Sequence, residues 1–369
     1  GEVPDFYLAP LRNLLKTGKA REEVMRREAA QLKRVLVEEG RRAATEERAG
    51  QGLEETILAE KPNVRWEDIA GLAEAKRALQ EAVVLPLQYP EFFAGNAQPW
   101  RGILLYGPPG TGKTFLARAA AAECRATFFA VSSADLMSKY LGESERAVKR
   151  LFQLAAERAP AVIFIDEIDS LCGARGEGEN ESSRRVKTEF LVQMAGVGAQ
   201  AERVLLLGAT NLPWALDSAV RRRFERRVYV PLPDLEARRY LLAHKLKGLD
   251  RALSPADIAR VAELTEGFSG ADLEVLLRDA AFEPLSLAQR TDCFRVVVVG
   301  GQRKFVPVEA GSAGELHRGS VYSLPPNSLL LPDLDLPDLL AALQRTKPSV
   351  SPADLQHYAA WTQQFGMGD

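Results

Sequence analysis

Short apolar runs alternate with helical stretches between residues 61 and 232. Five of these runs have the length of buried strands: Gly102–Tyr106, Thr127–Val131, Ala161–Ile165, Val204–Ala209 and Val228–Val230. Such an alternation indicates a parallel sheet covered by helices. We therefore predict an α/β fold with a parallel five-stranded sheet flanked by helices, in which ligands bind beyond the carboxyl ends of the strands.

The pattern becomes helical after residue 232. Apolar spacing predicts a small helical domain over residues 233–293, and helices return over residues 333–369. Residues 294–332, between these helical parts, read as a β-rich insertion. We expect its third strand at Gly319–Leu324. The predicted order is thus a large α/β part, residues 61–232, followed by a helical lid with an insertion.

The N-terminal residues 1–45 read as charged helices with a narrow apolar stripe. Two such helices cannot bury their stripes alone and need a third helix or a partner. Residues 46–60 are charged and contain Gly and Ala, which predicts a linker. Because the chain starts inside what reads as a helix, we expect it to be a truncated form of a longer protein.

Composition narrows the possible functions. The formal net charge of the 369 residues is -2, so charge alone does not attract the protein to nucleic acid or to a membrane surface. The three cysteines are scattered and never spaced as CxxC. This spacing argues against a zinc site or a disulfide framework and fits a reducing cytoplasm. No apolar run approaches the roughly 18 residues of a membrane span.

One glycine-rich loop carries the strongest chemical signal. Gly107–Thr114 fits the pattern G-x-x-x-x-G-K-[ST], and it lies between a predicted strand and a predicted helix. Backbone N–H groups of such a loop converge on phosphate oxygens at a helix N-terminus. Lys113 is expected to reach the β- and γ-phosphates, and the Thr114 hydroxyl is expected to bind Mg²⁺. We therefore predict a site for ATP and Mg²⁺.

Polar residues follow two of the predicted strands. Asp166 and Glu167 come directly after a buried run, so both carboxylates should emerge beside the phosphate loop. Asp166 can hold Mg²⁺, and Glu167 can orient or deprotonate the attacking water. Asn211 follows the neighbouring strand and is placed to touch the γ-phosphate or that water.

Five arginines occur within seven residues, from Arg221 to Arg227. A solvated basic patch is the ordinary explanation. The run, however, joins the end of a predicted helix to a predicted strand. This position favours a second explanation of the run. On this explanation, we expect Arg221 and Arg222 to act as arginine fingers, which stabilise the charge of a neighbouring subunit's γ-phosphate during hydrolysis. Fingers of this kind require an oligomer, such as a head-to-tail ring.

These residues together resemble the AAA ATPases, and the resemblance covers residues 61–290. It implies an AAA+ P-loop fold, with Asn211 as the sensor of the γ-phosphate and the arginines as the second region of homology. Residues 64–71 resemble the segment that lines the adenine pocket, and residues 267–272 resemble the start of the lid helix. The nucleotide-binding residues implied are Asp68, Ile69, Gly71, Gly107, Pro108, Pro109, Gly110, Thr111, Gly112, Lys113, Thr114, Phe115, Gly270 and Ala271.

The loop around Ser138–Ser144 resembles the pore loop of the meiotic clade of this family. The resemblance implies a homo-hexamer in which Lys139, Tyr140 and Leu141 grip an extended polypeptide. Within the clade, the chain is most similar to the ATPases that disassemble ESCRT-III filaments in endosomal sorting. Residues 6–44 resemble the last two helices of an MIT domain, which binds ESCRT-III tails. Residues 294–332 occupy the position of the insertion that recruits a Vta/LIP-type activator.

The resemblance implies a cytoplasmic protein that reaches endosomal membranes only through ESCRT-III. Three alternatives stay open. A microtubule-severing ATPase shares the clade, a nucleotide-binding scaffold would not hydrolyse ATP, and a nucleic-acid motor is disfavoured by the charge.

Overall fold

The computed structural model describes residues 58–60, 62–93, 99–136, 143–173, 181–196, 204–247, 253–308 and 314–366. The MIT-like region, most of the predicted linker and the predicted pore residues Lys139, Tyr140 and Leu141 lie outside the described residues.

The central sheet has six strands in the order β1-β3-β4-β5-β2-β6. Their bounds are β1 Leu58–Glu60, β2 Gly102–Tyr106, β3 Thr127–Ser132, β4 Ala161–Asp166, β5 Val204–Thr210 and β6 Arg226–Tyr229. The strands β2 to β6 are mutually parallel, which confirms the predicted five-stranded parallel sheet. The edge strand β1 pairs antiparallel with β3, in a stretch for which we predicted a linker. Only three residues long, β1 was too short to show an apolar pattern.

Helices and short turns surround this sheet. The helices are α1 Ala73–Leu79, α2 Leu85–Gln88, α3 Lys113–Glu123, α4 Ser133–Leu136, α5 Glu143–Glu157, α6 Ile168–Cys172, α7 Glu181–Gly196 and α8 Ser218–Arg223. A π-helical turn, Gln80–Val84, joins α1 to α2, and 3₁₀ turns lie at Trp66–Asp68, Pro90–Phe93 and Pro213–Ala215. Four of the five alanines of α3 are buried in the same apolar cluster as Ile103, Phe128 and Phe164 of the strands. Their small side chains let this helix, which begins at Lys113, pack closely on the sheet.

A second apolar core lies among the C-terminal helices. These are α9 Leu235–Lys245, α10 Pro255–Leu264, α11 Gly270–Ala281, α12 Glu283–Arg290, α13 Leu336–Arg345 and α14 Pro352–Phe365. Leu242 of α9, Val261 of α10 and Leu276 of α11 share this core with Leu339 of α13. The chain therefore leaves this apolar core after α11 and rejoins it at α13, while α12 and α14 contribute no residue to it. None of the described helices is long and apolar enough to span a bilayer.

The excursion between α12 and α13 forms a three-stranded antiparallel sheet in the order β8-β7-β9. Its strands are β7 Cys293–Val299, β8 Gln302–Pro307 and β9 Leu316–Arg318. Gly300 and Gly301 both have positive φ, as a tight hairpin turn between β7 and β8 requires. The predicted third strand at Gly319–Leu324 is wrong, because Ser320 caps a 3₁₀ turn over Val321–Ser323 instead.

One position in the sheet has room only for glycine, because a buried ring lies against it. A Cβ atom at Gly208 in β5 would lie 2.7 Å from the ring of Phe224, which is fully buried. We expect Gly208→Ala to lower the free energy of unfolding by about 1–3 kcal/mol, because overpacking forces the ring or the strand to shift. Urea unfolding followed by circular dichroism measures the change. Gly196→Ala is the control, since its Cβ would meet nothing within 4 Å. Equal stabilities for the two variants would contradict this account.

Candidate active site

The phosphate loop and the predicted acids meet at one edge of the sheet. Strand β5 lies between β2 and β4, and Tyr106, the last residue of β2, is in register with Thr210, the last residue of β5. The loop after β2, the acids at the end of β4 and Asn211 after β5 therefore leave the sheet side by side. This is the edge at which we predicted ligands to bind.

Close backbone approach explains two glycines of the loop. Gly107 has φ 148°, and a Cβ there would overlap the main-chain oxygen of Val230. Gly110 has φ 71°, and a Cβ there would lie 2.7 Å from the Cβ of Ala271. The main-chain oxygen of Gly110 also accepts a hydrogen bond of 3.0 Å from the N–H of Gly270, the first residue of α11. The loop is thus joined directly to the lid helix.

Lys113 is buried beneath the loop. Its Nζ donates hydrogen bonds to the main-chain oxygens of Gly107, at 2.9 Å, and Pro108, at 2.7 Å. Burial lowers the pKa of Lys113 to about 8, although Asp166 and Asp169 partly oppose the shift. The lysine therefore lies where phosphates are expected, with a charge that is costly until an anion arrives.

Thr114 and Asp166 are in direct contact. The Thr114 hydroxyl donates to Oδ2 of Asp166 at 3.0 Å, which joins the first turn of α3 to the end of β4. The other carboxylate oxygen accepts from the N–H of Glu167 at 2.9 Å. Two oxygen ligands from different elements are thereby held at one point.

The backbone of Glu167 adopts an unusual conformation. Its φ of 50° and ψ of 44° are left-handed, which is uncommon for a residue other than glycine. The Ser133 hydroxyl is close enough to donate to the main-chain oxygens of Asp166 and of Glu167, at 2.9 and 2.8 Å. The strain turns the exposed Glu167 side chain away from the buried strand and into the cavity that holds Thr114.

Asn211 lies in the same cavity. Its Oδ1 atom is buried and has no hydrogen-bond partner within the protein. Its main-chain oxygen accepts a hydrogen bond from the Tyr358 hydroxyl of α14. A buried amide oxygen without a partner is costly, so its position favours a polar ligand in the cavity.

These residues line a cavity of about 660 Å³. Most of the predicted site residues contribute to its wall: Asp68, Ile69, Gly110, Thr111, Gly112, Lys113, Thr114, Phe115, Asp166, Glu167, Asn211, Gly270 and Ala271. Four other predicted nucleotide-binding residues are not part of the wall: Gly71, Gly107, Pro108 and Pro109. Gly107 and Pro108 hold Lys113 from behind, and a Cβ at Gly71 would lie 3.0 Å from Ala237 of α9.

Val64 and Ala70 of the wall belong to the segment 64–71, for which we predicted a place at the adenine pocket. The sequence prediction missed the rest of the wall, which is formed by Leu72, Pro231, Pro233, Leu241, His244, Lys245 and Glu274. Leu241, His244 and Lys245 share one face of α9, a spacing that a helical pattern can reveal. Nothing in the pattern shows that this face meets the phosphate loop. Lys245 forms an ion pair of 2.9 Å with Glu274 of α11, at the lid side of the cavity.

The predicted arginine fingers lie elsewhere. Neither Arg221 nor Arg222 lines the cavity, and the two follow each other in α8. Arg222 is exposed, whereas the guanidinium of Arg221 stacks 4.1 Å from the ring centroid of Phe365 in α14. Within one chain, these arginines and the cavity are separate features.

The donor set at the cavity fits Mg²⁺. The hydroxyl of Thr114 and the carboxylate of Asp166 are hard oxygen ligands held 3.0 Å apart. Among the described residues, no three His, Cys, Asp or Glu side chains cluster in a way that could enclose a metal. An ion held by one carboxylate, one hydroxyl and substrate phosphates is the arrangement that Mg²⁺ favours in nucleotide sites.

Nucleotide affinity is expected to fall as the pH rises above about 8. We expect the protonated form of Lys113 to bind phosphate, and the pKa of about 8 means that the free protein loses this proton at higher pH. Bound phosphate favours the charged form, so binding must then take up a proton, and affinity falls by up to about tenfold per pH unit. Titration with a fluorescent nucleotide between pH 7 and 9.5 measures this.

The control for this experiment is Lys113→Met. This variant should bind nucleotide weakly, and its affinity should not change with pH above 8. An unchanged affinity of the parent protein up to pH 9.5 would contradict the prediction.

Comparison with known families matches three parts of the chain. Residues 103–232 match the ATPase family associated with various cellular activities (AAA), and residues 255–294 match the AAA+ lid domain. Residues 312–366 match the Vps4 C terminal oligomerisation domain, which includes β9, α13 and α14.

Relatives and solved structures agree with these matches. The chain is 48% identical over 324 residues to vacuolar protein sorting-associated protein 4B of Mus musculus, covering 85% of this chain and 72% of the relative. It is 43% identical over 330 residues to vacuolar protein sorting-associated protein 4 of Dictyostelium discoideum, covering 87% and 74%.

Among solved structures, the FIGL-1 AAA domain in complex with ADP has a TM-score of 0.70 at 37% identity and covers 86% of this chain and 98% of its own. A structure on katanin self-assembly has a TM-score of 0.65 at 40% identity, covering 85% and 96%. The phosphate loop, the acids and the lid helix α11 all lie within the matched regions. The chain therefore belongs to the AAA ATPases, in the family of vacuolar protein sorting-associated protein 4.

Proposed function

We propose that the protein is an ATP- and Mg²⁺-dependent motor that disassembles ESCRT-III filaments as a homo-hexamer. One observation carries the proposal. The cavity brings Lys113, Thr114, Asp166, Glu167 and Asn211 together but has no arginine of the run in its wall. A site that lacks its transition-state cation within one chain is completed by a neighbouring copy.

In the proposed reaction, the oxygen of a water molecule bonds to the γ-phosphorus of ATP, the bond from this phosphorus to the β–γ bridging oxygen breaks, and ADP leaves. Glu167 orients this water and takes its proton, and Lys113 binds the phosphate oxygens. Thr114 and Asp166 would hold Mg²⁺, which when bound neutralises charge on the β- and γ-phosphates. Asn211 donates from its amide NH₂ group to the γ-phosphate, or accepts a hydrogen bond from the water with its unpartnered Oδ1. Arg221 and Arg222 of the next subunit stabilise the charge that develops.

The relatives support the cellular role. Their names place them in vacuolar protein sorting, and the match over residues 312–366 is to an oligomerisation domain. In the proposed hexamer, Lys139, Tyr140 and Leu141 line the pore and pull ESCRT-III subunits through it. A Vta/LIP-type activator would bind the insertion, residues 294–332. The protein would act from the cytoplasm and contact endosomal membranes only through ESCRT-III, with no role for nucleic acid.

The rate of phosphate release against protein concentration tests the shared site. The rate per chain should rise steeply as hexamers form and then level off. Fluorescent ESCRT-III filaments on supported bilayers should lose subunits only with hydrolysable ATP, and Tyr140→Ala should abolish this loss without removing ATP binding. A rate per chain that stays constant on dilution into the monomeric range would overturn the proposal.

Microtubule severing is the second candidate, because the FIGL-1 and katanin structures share the fold at 37% and 40% identity. The same preparation should therefore be added to stabilised, surface-bound microtubules with ATP. Severing of microtubules, with ESCRT-III filaments left intact, would favour this candidate over the first.

A further inference from the structure

The C-terminal helix α14 touches two functional parts of the chain. Tyr358 and Phe365 lie seven residues apart, which places them on one face, two turns and about 10.5 Å apart. The first contacts the residue that lines the cavity after β5, and the second contacts the arginine run. Helix α14 therefore spans the distance between the sensor and the proposed finger.

Tyr358 holds the backbone at Asn211. Its hydroxyl donates to the main-chain oxygen of Asn211, and its ring is almost fully buried beside Trp214, with ring centroids 5.1 Å apart. Burial raises the pKa of Tyr358 to about 12, so the hydroxyl stays a donor throughout the physiological range. This contact holds the backbone of Asn211, a residue of the cavity wall whose Oδ1 has no hydrogen-bond partner within the protein.

Phe365 holds Arg221 in two ways. Its ring lies under the guanidinium at 4.1 Å, and its main-chain oxygen accepts a hydrogen bond of 2.6 Å from Nη1 of Arg227. The other terminal nitrogen of Arg227 donates to the main-chain oxygen of Arg221 at 3.3 Å. The side chain of Arg221 therefore contacts Phe365, the last residue of α14, directly. The backbone of Arg221 is linked to the same residue through Arg227.

The middle of α14 is anchored to the strand that carries the phosphate loop. Trp361 packs edge-on against Tyr106 with ring centroids 4.5 Å apart, and the Tyr106 hydroxyl donates to Thr362 at 3.0 Å. Tyr106 directly precedes Gly107. The helix is thus fixed to the rigid sheet between its two functional ends.

We infer that α14 is a positioning helix for two active sites at once. Tyr358 positions Asn211 in the chain's own site, and Phe365 positions Arg221 for the site of the neighbouring subunit. The inference rests on the proposed function, in which Arg221 acts on the nucleotide of another copy. It assigns positioning roles to two residues that are not part of the cavity wall.

Mixed hexamers separate the two roles. An acceptor chain carries Arg221→Ala and Arg222→Ala, so it keeps an intact cavity but lacks fingers. A donor chain carries Glu167→Gln, so it keeps its fingers but cannot hydrolyse. Neither chain should turn over alone, and an equimolar mixture should regain activity wherever a donor precedes an acceptor. Saturating phosphate release from this mixture is the reference rate.

The two substitutions should act on opposite partners. Phe365→Leu in the donor should lower the saturating rate about 3-fold to 30-fold with the KM for ATP unchanged, because the loss of a cation–π contact loosens the finger. The same change in the acceptor should have no effect. Tyr358→Phe should lower the rate about tenfold in the acceptor, since the Asn211 oxygen loses its donor, and should have no effect in the donor.

Three controls test whether a lower rate comes from the proposed contacts or from failed assembly. Phe365→Tyr in the donor should restore the reference rate because it keeps a ring under Arg221. Gln364→Ala, at the neighbouring exposed position, should change nothing. Unchanged hexamer formation by sedimentation shows that a slower mixture still assembles.

Two results are decisive and distinguishable. Equal effects of Phe365→Leu in donor and acceptor, or no effect in either, would overturn the inference and leave the proposed function standing. A reference mixture that regains no activity would show that Arg221 and Arg222 do not act across subunits, which overturns the proposed function together with the inference.

Discussion

Glu167→Gln should bind ATP as tightly as the parent protein and hydrolyse it about 10²- to 10⁴-fold more slowly. Glutamine has nearly the same shape but cannot take a proton from water, and general-base catalysis contributes about this much to rate. The strained backbone of Glu167 turns its side chain into the cavity beside Thr114 and Asp166, so no other acid replaces it easily. Single-turnover phosphate release and a separate nucleotide-binding titration measure the two effects.

The trapped nucleotide should also hold the variant in its assembled state. Sedimentation with ATP should show hexamers for Glu167→Gln that outlast those of the parent protein, because hydrolysis no longer releases the subunits. Glu266→Gln, an exposed acid that is not part of the cavity wall, should behave like the parent. Normal turnover by Glu167→Gln would show that Glu167 is not the base that deprotonates the attacking water.

Arg221→Ala combined with Arg222→Ala should lower turnover at saturating ATP by about 10³- to 10⁵-fold. An arginine finger stabilises charge that appears only in the transition state, so its loss acts on the rate rather than on binding. Neither residue lines the cavity of its own chain, so the affinity of the monomer for ATP should not change. Steady-state phosphate release above the assembly concentration measures turnover. A nucleotide-binding titration on dilute protein measures the affinity of the monomer for ATP.

Arg77→Ala is a suitable control for the loss of positive charge. Arg77 forms an exposed ion pair of 3.0 Å with Glu81, a contact of little energetic value, and lies outside the cavity wall. The double variant must be shown to form hexamers, because a failure to assemble would also lower turnover. Full turnover in assembled Arg221→Ala, Arg222→Ala hexamers would exclude both residues as fingers.

Local sequence was enough to predict the phosphate end of the cavity. The residues Gly107–Thr114 are consecutive, and a loop between a buried strand and a helix has few conformations that suit this composition. Asp166, Glu167 and Asn211 follow apolar runs, and parallel strands bring their carboxyl ends to one edge whatever their order in the sheet. Apart from the expected position of β5 beside β4, the strand order and the antiparallel β1 were not predicted, since pairing depends on contacts between segments far apart in the chain.

The lid side of the cavity shows the limit of such reasoning. The apolar faces of α9 and α11 are visible in their spacing, but the helices bury one face in the second core and turn another to the phosphate loop. Which residues meet the cavity follows from the hydrogen bond between Gly270 and Gly110, 160 residues apart, and from the ion pair between Lys245 and Glu274. No local pattern encodes such distances.

The sequence by itself thus determined the fold class, the phosphate-binding chemistry and the polar residues that follow β4 and β5, because each depends on neighbours along the chain. Only the tertiary structure decided that the arginine run lies outside its own cavity and that α14 joins Asn211 to Arg221. The contact between Tyr358 and Asn211 spans 147 positions. It exists because aromatic side chains of α14 pack against Tyr106 and Trp214 when the whole domain folds.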